Sequence, residues 1–361
     1  MSLILCVNPG ATSTKVGLFE GTTPRQARTL RHPDPELARH PRAADQLGLR
    51  LEAVRAFLAE AGVGRGELSA VAGRGGLLRP LASGTYRVDA ALLADAARAE
   101  RGEHASNLGG PIAAAVAGEH GCPAFVVDPV SVDELAPVAR LTGLAGVERQ
   151  SLAHALNIKA VARRHARERG RPLESLRLLV AHLGSGVSLA AIEGGRMVDV
   201  VNPQDEGPMS PDRSGGMPAT ALVEMCFAPG AERSTVRRRL FGDGGLWSHL
   251  GTRDLGEALA RADGGDERAR LVLETMAYQI AKAVADMAAV LRGKVDAVLL
   301  TGGMAHAPWL VAEVRNRVAW IAPVEVYPGE DELLALAEGA WRVLSGEEPV
   351  RTYGGGDQGQ P

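Results

Sequence analysis

The stretch Asn8-Pro9-Gly10-Ala11-Thr12-Ser13-Thr14-Lys15 lies between two apolar runs, residues 3–7 and 16–19. Two apolar runs joined by a segment rich in Gly, Ser and Thr predict a β-hairpin whose tip exposes hydroxyl groups, backbone N–H groups and one lysine. Such a tip suits phosphate, although an ordinary polar hairpin fits the same pattern. It is not a P-loop, because a P-loop leads into a helix and here a strand follows.

A hairpin with the same pattern recurs in the second half of the chain. The apolar run 178–181 leads into His182-Leu183-Gly184-Ser185-Gly186, and a second run, 187–192, follows. The repeat predicts two similar domains, each opening with a phosphate-sized turn, and a cleft where the two turns face each other. We place the domains at residues 1–150, completed by a C-terminal helix over 333–350, and at residues 151–332, with a flexible tail over 351–361.

Strand and helix patterns alternate along the rest of the chain, which is typical of an α/β fold with mixed sheets covered by helices. Arg74 and Asp128 each follow or end a short apolar strand, and ligands gather at the carboxyl ends of strands in such sheets. Residues 205–216 are rich in turn formers and deliver one arginine, Arg213. Residues 24–41 are predicted to form a loop, whereas apolar residues at helical spacing predict a long core-facing helix over about 268–291.

The composition predicts a globular protein of two to three domains, since 45% of the 361 residues are apolar. A net charge of −3 does not suggest nucleic acid or an anionic membrane as a partner. The three cysteines are far apart and support neither a disulfide framework nor a zinc site, which fits a reducing cytoplasm. Apolar stretches stay well below the length of about 18 residues that a membrane span needs, so we expect a cytoplasmic location.

Eight segments, taken together, resemble the acetate and butyrate kinase family, within the larger superfold of actin, Hsp70 and sugar kinases. They follow the family's order over nearly the whole chain: 8–15, 73–76, 127–130, 154–157, 181–186, 207–216, 301–304 and 327–333. The residues of several of these segments resemble butyrate kinases more than acetate kinases. The resemblance implies two domains of the actin-like ATPase (ribonuclease H-like) type and a homo-oligomer. It also implies reversible transfer of the γ-phosphoryl group of ATP, with Mg²⁺, to a short-chain carboxylate.

The same resemblance implies roles for the catalytic residues. Arg74 and Arg213 would hold the carboxylate and the phosphoryl oxygens, which a planar guanidinium can do with two parallel hydrogen bonds. His154 would stabilise the transition state. Asp128 would orient Mg²⁺ and its waters, although an acid before a proline can also cap a turn.

The nucleotide and metal sites follow in the same way. The resemblance assigns nucleotide contacts to Thr14, Lys15, His182, Gly184, Ser185, Gly186, Asp254, Gly302, Gly303 and Met304. It assigns magnesium to Asn8 and to the acidic cluster Glu330-Asp331-Glu332, with Asp331 or Glu332 as the ligand.

Three small residues bear on the choice of substrate. Gly76, Ala105 and Ala153 stand where acetate kinases have Val, Leu and Phe around the acetate methyl group, so we expect a pocket for butyrate or a branched relative. Acetate or propionate kinase activity remains an alternative within the family. A carbohydrate kinase, an exopolyphosphatase or a non-catalytic nucleotide-dependent module of the superfold also remain open, although the last would not need Arg74, Arg213 and His154 together.

Overall fold

The computed structural model of the protein describes residues 2–40 and 42–354, so most of the predicted tail, 355–361, lies outside the described residues. The chain divides into two compact units. The first unit contains the described residues up to Asp133 and those from Asp331 onward, and the second unit contains Glu134–Glu330. Among the described residues, none of the helices combines the length and the apolarity that crossing a bilayer requires.

The strands and helices follow in chain order. The strands are β1 (Leu3–Pro9), β2 (Ser13–Glu20), β3 (Thr23–Arg31), β4 (Leu68–Arg74), β5 (Thr85–Arg87), β6 (Ala124–Val127), β7 (Leu178–Leu183), β8 (Val187–Glu193), β9 (Arg196–Val201), β10 (Ala297–Gly302), β11 (Val324–Pro328) and β12 (Arg351–Thr352). The α-helices are α1 (Asp34–Leu37), α2 (Leu47–Glu60), α3 (Ala90–Arg98), α4 (Gly109–His120), α5 (Pro137–Arg140), α6 (Ala155–Glu168), α7 (Ala219–Phe227), α8 (Arg233–Phe241), α9 (Gly245–Leu250), α10 (Leu255–Asp263), α11 (Glu267–Val290), α12 (Pro308–Val318) and α13 (Glu332–Leu344).

The first unit is built on a seven-stranded mixed sheet in the order β12-β5-β6-β4-β1-β2-β3. The strands β1, β4 and β6 run parallel and are apolar and buried along most of their length, as expected for strands covered by helices. Helices α2 and α4 supply Val54, Phe57, Ile112 and Val116 to the core around Leu5 and Val7. Helix α13 packs against β1, β2, β4 and β6.

The second unit is built on a five-stranded sheet in the order β11-β10-β7-β8-β9. Its core is centred on α11, which the apolar spacing predicted over 268–291 and which the structure confirms at Glu267–Val290. Asp266 caps this helix by accepting a hydrogen bond from the N–H of Ala269. Met276, Ile280 and Val284 of α11 are fully buried.

The predicted repeat is present in the topology of the two units. In the first unit β1 lies between its antiparallel partner β2 and its parallel partner β4. In the second unit β7 lies in the same way between β8 and β10. The register confirms both hairpins: Asn8 pairs with Lys15 around the first tip, and Leu183 pairs with Val187 around the second.

Three expectations about segment boundaries are corrected. The predicted loop over 24–41 contains β3, an edge strand with a register irregularity beside Pro24, and its exposed polar residues hide the strand pattern. Residues 351–352, placed in the flexible tail, form β12 and pair with β5. The units divide at 133/134 and 330/331 rather than at 150/151 and 332/333, because hydrogen bonds tie Glu134 and Arg149 to the second unit.

Candidate active site

Three predicted site residues meet at the carboxyl ends of β1 and β4 in the first unit. Val7 and Gly73 are partners in the parallel ladder, so the next residues, Asn8 and Arg74, lie side by side. The Arg74 guanidinium pairs with the Glu332 carboxylate, with Nη1 2.7 Å from Oε1, and donates to Asn8 Oδ1 at 3.4 Å. The Asn8 side-chain amide donates to the other oxygen of Glu332.

This arrangement distinguishes among the three acids of the predicted magnesium cluster. Glu332 is buried against Asn8, whereas Asp331 is exposed and Glu330 belongs to the second unit. A carboxylate and an amide oxygen form an oxygen donor set of the kind that Mg²⁺ prefers. The described residues contain no group of three or more His, Cys, Asp or Glu side chains that could hold a metal.

Asp128 follows β6 in a left-handed conformation with φ of 37° and is almost completely buried. Its Oδ1 accepts hydrogen bonds from Ser83 Oγ at 2.6 Å and from the N–H of Gly84 at 2.7 Å. The carboxylate therefore stabilises the turn before β5, which was one of the two roles considered from the sequence. Its magnesium role stays a prediction.

The first hairpin tip exposes Lys15 but not the hydroxyl group of Thr14. Thr14 is fully buried, and its Oγ1 lies 2.8 Å from His32 Nε2 and 3.1 Å from Arg50 Nη1. The Thr14 hydroxyl group is therefore held within the unit, and the nucleotide contact expected of Thr14 stays a prediction. Sequence reasoning missed Arg50, although an arginine at helical spacing from the apolar residues Leu47 and Val54 was a usable signal.

In the second unit, two histidines stack beside the second hairpin. The rings of His154 and His182 lie 3.9 Å apart between centroids, with an angle of 11° between their planes. Nδ1 of His154 lies 2.9 Å from Ser188 Oγ on β8. The sequence predicted both histidines separately, and the structure brings them into direct contact.

Asn157 fixes which proton His182 carries. The Asn157 side-chain amide donates to the main-chain oxygen of Glu330 at 3.1 Å, so its Oδ1 faces His182 Nδ1 at 2.8 Å. Nδ1 must therefore be the donor in this contact. The other ring nitrogen, Nε2, is buried without a hydrogen-bond partner, and Oε1 of the Glu330 carboxylate lies 3.4 Å away.

Arg213 lies directly over the backbone of the second hairpin tip. A Cβ atom on Gly186 would come within 2.8 Å of the guanidinium carbon, and a Cβ on Gly184 would come within 2.9 Å of His182 Nε2. The two glycines therefore allow both side chains to approach the turn, while Ser185 between them accepts a hydrogen bond from Ser210 through its main-chain oxygen.

The electrostatics of Arg213 are unusual for a surface cation. Burial lowers the pKa of its guanidinium, and the neighbouring Asp212 carboxylate opposes that change. Nε has no hydrogen-bond partner, and the distance from Nε to Asp212 Oδ1 is 3.8 Å. Burial also raises the pKa of Asp212, against the effect of the nearby arginines. The Nε–H group of Arg213 is thus a buried donor without a hydrogen-bond partner.

Four residues remain among those to which the resemblance assigned nucleotide contacts: Gly302, Gly303, Met304 and Asp254. Gly302 ends β10 with φ of 91°, and a Cβ there would lie 2.4 Å from the main-chain oxygen of Leu183, so this glycine allows β10 to approach the end of β7. A Cβ atom on Gly303 would have nothing within 4 Å, and Met304 packs into the core of the unit. Asp254 is exposed and caps α10 by accepting from the N–H of Glu257, which is a structural role.

The space expected beside Gly76 is filled by a neighbouring residue. A Cβ at this position would lie 2.0 Å from Asn107 Oδ1 and 2.6 Å from Asn107 Cα, so Asn107 fills the space that a larger residue would take. Asn107 is held there by hydrogen bonds with the N–H of Leu77 and the main-chain oxygen of Gly102. Ala105 is half-buried at the start of a short 3-10 helix, and Ala153 is buried immediately before His154.

The repeated sheet topology, with a glycine- or serine-containing hairpin turn opening each half, defines a protein of the actin-like ATPase fold, which confirms the predicted fold class. The structure is similar to the acetate kinase of Porphyromonas gingivalis, with 21% identity, 94% of this chain and 99% of that chain covered, and a TM-score of 0.77. A propionate kinase from Francisella tularensis matches with 18% identity, 94% and 99% coverage and a TM-score of 0.75. A putative N-acetylmannosamine kinase from Listeria monocytogenes matches with 13% identity, 96% and 100% coverage and a TM-score of 0.51.

The model of the acetokinase family matches residues 141–326, which is more than half of the chain. The chain belongs to the acetokinase family, and this membership implies a phosphotransferase that acts on a carboxylate.

Proposed function

We propose that the protein phosphorylates a short-chain carboxylate with ATP and Mg²⁺, giving an acyl phosphate and ADP in a reversible reaction, and that its preferred acid is butyrate or a branched relative. The observation that supports the phosphotransferase role is Arg213, whose half-buried side chain lies over Gly186 with a buried Nε that has no hydrogen-bond partner. Phosphoryl transfer asks a protein mainly to position the reactants and to neutralise charge on the transferring group. A desolvated N–H donor serves that purpose well.

The other residues fill supporting roles in this proposal. Arg74 holds an anionic oxygen of a reactant, for which it must exchange its bond to Glu332. Asn8 and Glu332 would hold Mg²⁺, which when bound offsets phosphate charge. His154, steadied through Ser188, donates a hydrogen bond to the phosphoryl group.

Support for a four-carbon acid now comes mainly from Ala153. It is buried next to His154, where a phenylalanine would occupy far more volume. Each additional buried methylene is worth about 0.8 kcal/mol, so two more carbons favour butyrate over acetate by roughly tenfold where space allows. Gly76 contributes no space, because Asn107 fills it.

The test is a hydroxylamine trap for the acyl phosphate, applied to acetate, propionate, butyrate, isobutyrate and valerate with ATP and Mg²⁺. We expect kcat/KM to rise from acetate to butyrate or isobutyrate. Ala153→Phe should lower kcat/KM most for the longer and branched acids. A profile that peaks at acetate would instead make the protein an acetate kinase. Turnover of sugars without any hydroxamate would overturn the carboxylate assignment.

The same assay examines Arg213 directly. Arg213→Ala should lower kcat/KM by about 10²–10⁴-fold, roughly 3–5 kcal/mol, because charge on the transferring group goes unmatched. Arg238→Ala is the matched control, since that arginine is exposed and pairs only at the surface with Asp243. Equal kcat/KM values in the two variants would show that Arg213 takes no part in the reaction.

A further inference from the structure

A completely buried arginine lies behind the first hairpin tip. Arg50, on α2, has no exposed surface, and its guanidinium makes five hydrogen bonds. Nη1 donates to Ser13 O at 2.9 Å and to Thr14 Oγ1 at 3.1 Å, Nη2 donates to Ala11 O at 3.0 Å, and both Nη2 and Nε donate to Gln46 Oε1, at 2.8 and 3.2 Å. Since a guanidinium has five N–H donors, each of them is used.

These contacts orient the backbone of the tip. Arg50 binds the main-chain oxygens of Ala11 and Ser13, and the N–H of His32 binds that of Thr12 at 2.9 Å. Three consecutive carbonyl groups are therefore held by the unit. In a planar trans peptide the N–H points opposite to the C=O, so the N–H of Thr12 is directed away from Arg50. Ala11 and Thr12 are exposed, and their N–H groups have no backbone acceptor among the described residues.

The positive charge of Arg50 is not cancelled nearby. All of its acceptors are neutral, and no carboxylate of the described residues forms an ion pair with it. Burial lowers the pKa of this guanidinium, which reflects the cost of removing the charge from water. Exposed N–H groups in front of a buried cation form a site whose field favours an anion.

We propose that Arg50 is a positioning residue, which holds the tip of residues 11–14 in its anion-binding shape and supplies the charge behind it, so that the exposed N–H groups bind a phosphate group of the nucleotide. The inference rests on the proposed function, because that function supplies the nucleotide. Arg50 acts through the turn and does not itself touch the nucleotide.

The experiment measures ADP binding by titration calorimetry, well below the melting temperature of each variant. Arg50→Met should weaken ADP binding by about tenfold or more, and Arg50→Lys, which keeps the charge but cannot form the same fork, by about three- to tenfold. Arg55→Met is the matched control on the same helix, because Arg55 is partly exposed and pairs with Glu52 and Glu119. We expect it to bind ADP as the wild type does.

Kinetics separate positioning from a general loss of stability. In Arg50→Lys the KM for ATP should rise while the KM for the carboxylate stays unchanged, whereas a loosened fold would move both values or only the melting temperature. Wild-type ADP affinity in a folded Arg50→Lys variant would overturn the inference, even if Arg50→Met fails to fold. A different outcome would separate the two proposals. If the Arg50 variants bind ADP more weakly but the wild-type protein makes no acyl hydroxamate, the inference stands and the proposed function is rejected.

Discussion

Arg50 and Lys159 are buried and Arg213 is half-buried, and these three cations differ in how their charge is paired. Lys159 is neutralised, because its Nζ lies 2.7 Å from Glu134 Oε2 and also donates to the main-chain oxygen of Gly195. Arg50 and Arg213 lie behind and over the two hairpin tips, and neither forms a hydrogen bond to a carboxylate of the described residues. The charge of Arg50 is therefore not paired, whereas Arg213 has Asp212 as an ion-pair partner 3.8 Å from its Nε.

His32 should make the stability of the protein depend on pH. Burial lowers its pKa from the ordinary 6.5, Arg50 lowers it further, and Glu36 opposes both. As pH falls below about 6.5 the unfolded chain takes up a proton at this position before the folded chain does, so the free energy of unfolding decreases on acidification. The loss continues until pH reaches the lower folded-state pKa.

Urea unfolding between about pH 7.5 and 5.5 measures this effect. His165, whose pKa is also lowered by burial, contributes with the same sign in the second unit. His32→Gln should flatten the decline, because glutamine can still accept from Thr14 but does not titrate. Exchange of the exposed His249 for Gln serves as the control. An unchanged slope in His32→Gln would show that His32 is not held neutral in the fold.

Site residues could be predicted from the sequence where a motif carried them, and not where a long-range contact decides their role. Asn8 lies at the first hairpin and Arg74 at the end of a strand, as the sequence predicted, while the roles that the resemblance implies for them and for His154 stay predictions. The different surroundings of Asp331 and Glu332 could not be read from the sequence, because the start of α13 exposes the first and buries the second. The space beside Gly76 could not be predicted, because a neighbouring side chain can fill the space that a glycine leaves. The residue that fills it, Asn107, is 31 positions away in the chain.

At the level of elements, close approach of two backbones brings Arg74 to its place. A Cβ on Gly73 would lie 2.1 Å from the main-chain oxygen of Gly109, and a Cβ on Gly109 would lie 2.0 Å from that of Arg74. The end of β4 and the start of α4 therefore touch through two glycines. The sequence predicted both elements from their patterns, but this contact follows only from their packing.

Gly73→Ala should consequently destabilise the protein, because backbone atoms cannot move aside as a flexible side chain does. We expect a loss of at least about 2 kcal/mol, in the range of over-packing. Gly118→Ala, in helix α4 with nothing within 4 Å of the added methyl group, should instead stabilise the protein by about 0.5–1 kcal/mol. Denaturant midpoints at constant slope measure both. Equal effects in the two variants would contradict the close approach.

On the scale of the whole molecule, the repeated hairpin could be recognised in the sequence, but the boundary between the two units could not. The two hairpins recur with similar length and pattern, which identifies two related halves. Residues 134–150 carry no strong periodic pattern, and their place is decided by distant partners such as Asp199 and Glu206, which bind Arg149. Contacts of this kind cannot be read from local sequence.

The division predicts how fragments of the chain behave. The second unit is one continuous segment, 134–330, with its own apolar core centred on α11. The first unit is discontinuous, since α13 packs against five of its strands, β5 included, and buries Leu336 and Ala340. We expect residues 134–330 alone to fold and to melt cooperatively, and residues 2–133 alone to remain unfolded, because the surface that α13 covers would be exposed. Joining 331–354 to 2–133 by a flexible linker should restore cooperative melting, measured by circular dichroism. A cooperative transition in 2–133 without that segment would show that α13 is dispensable for the fold of the first unit.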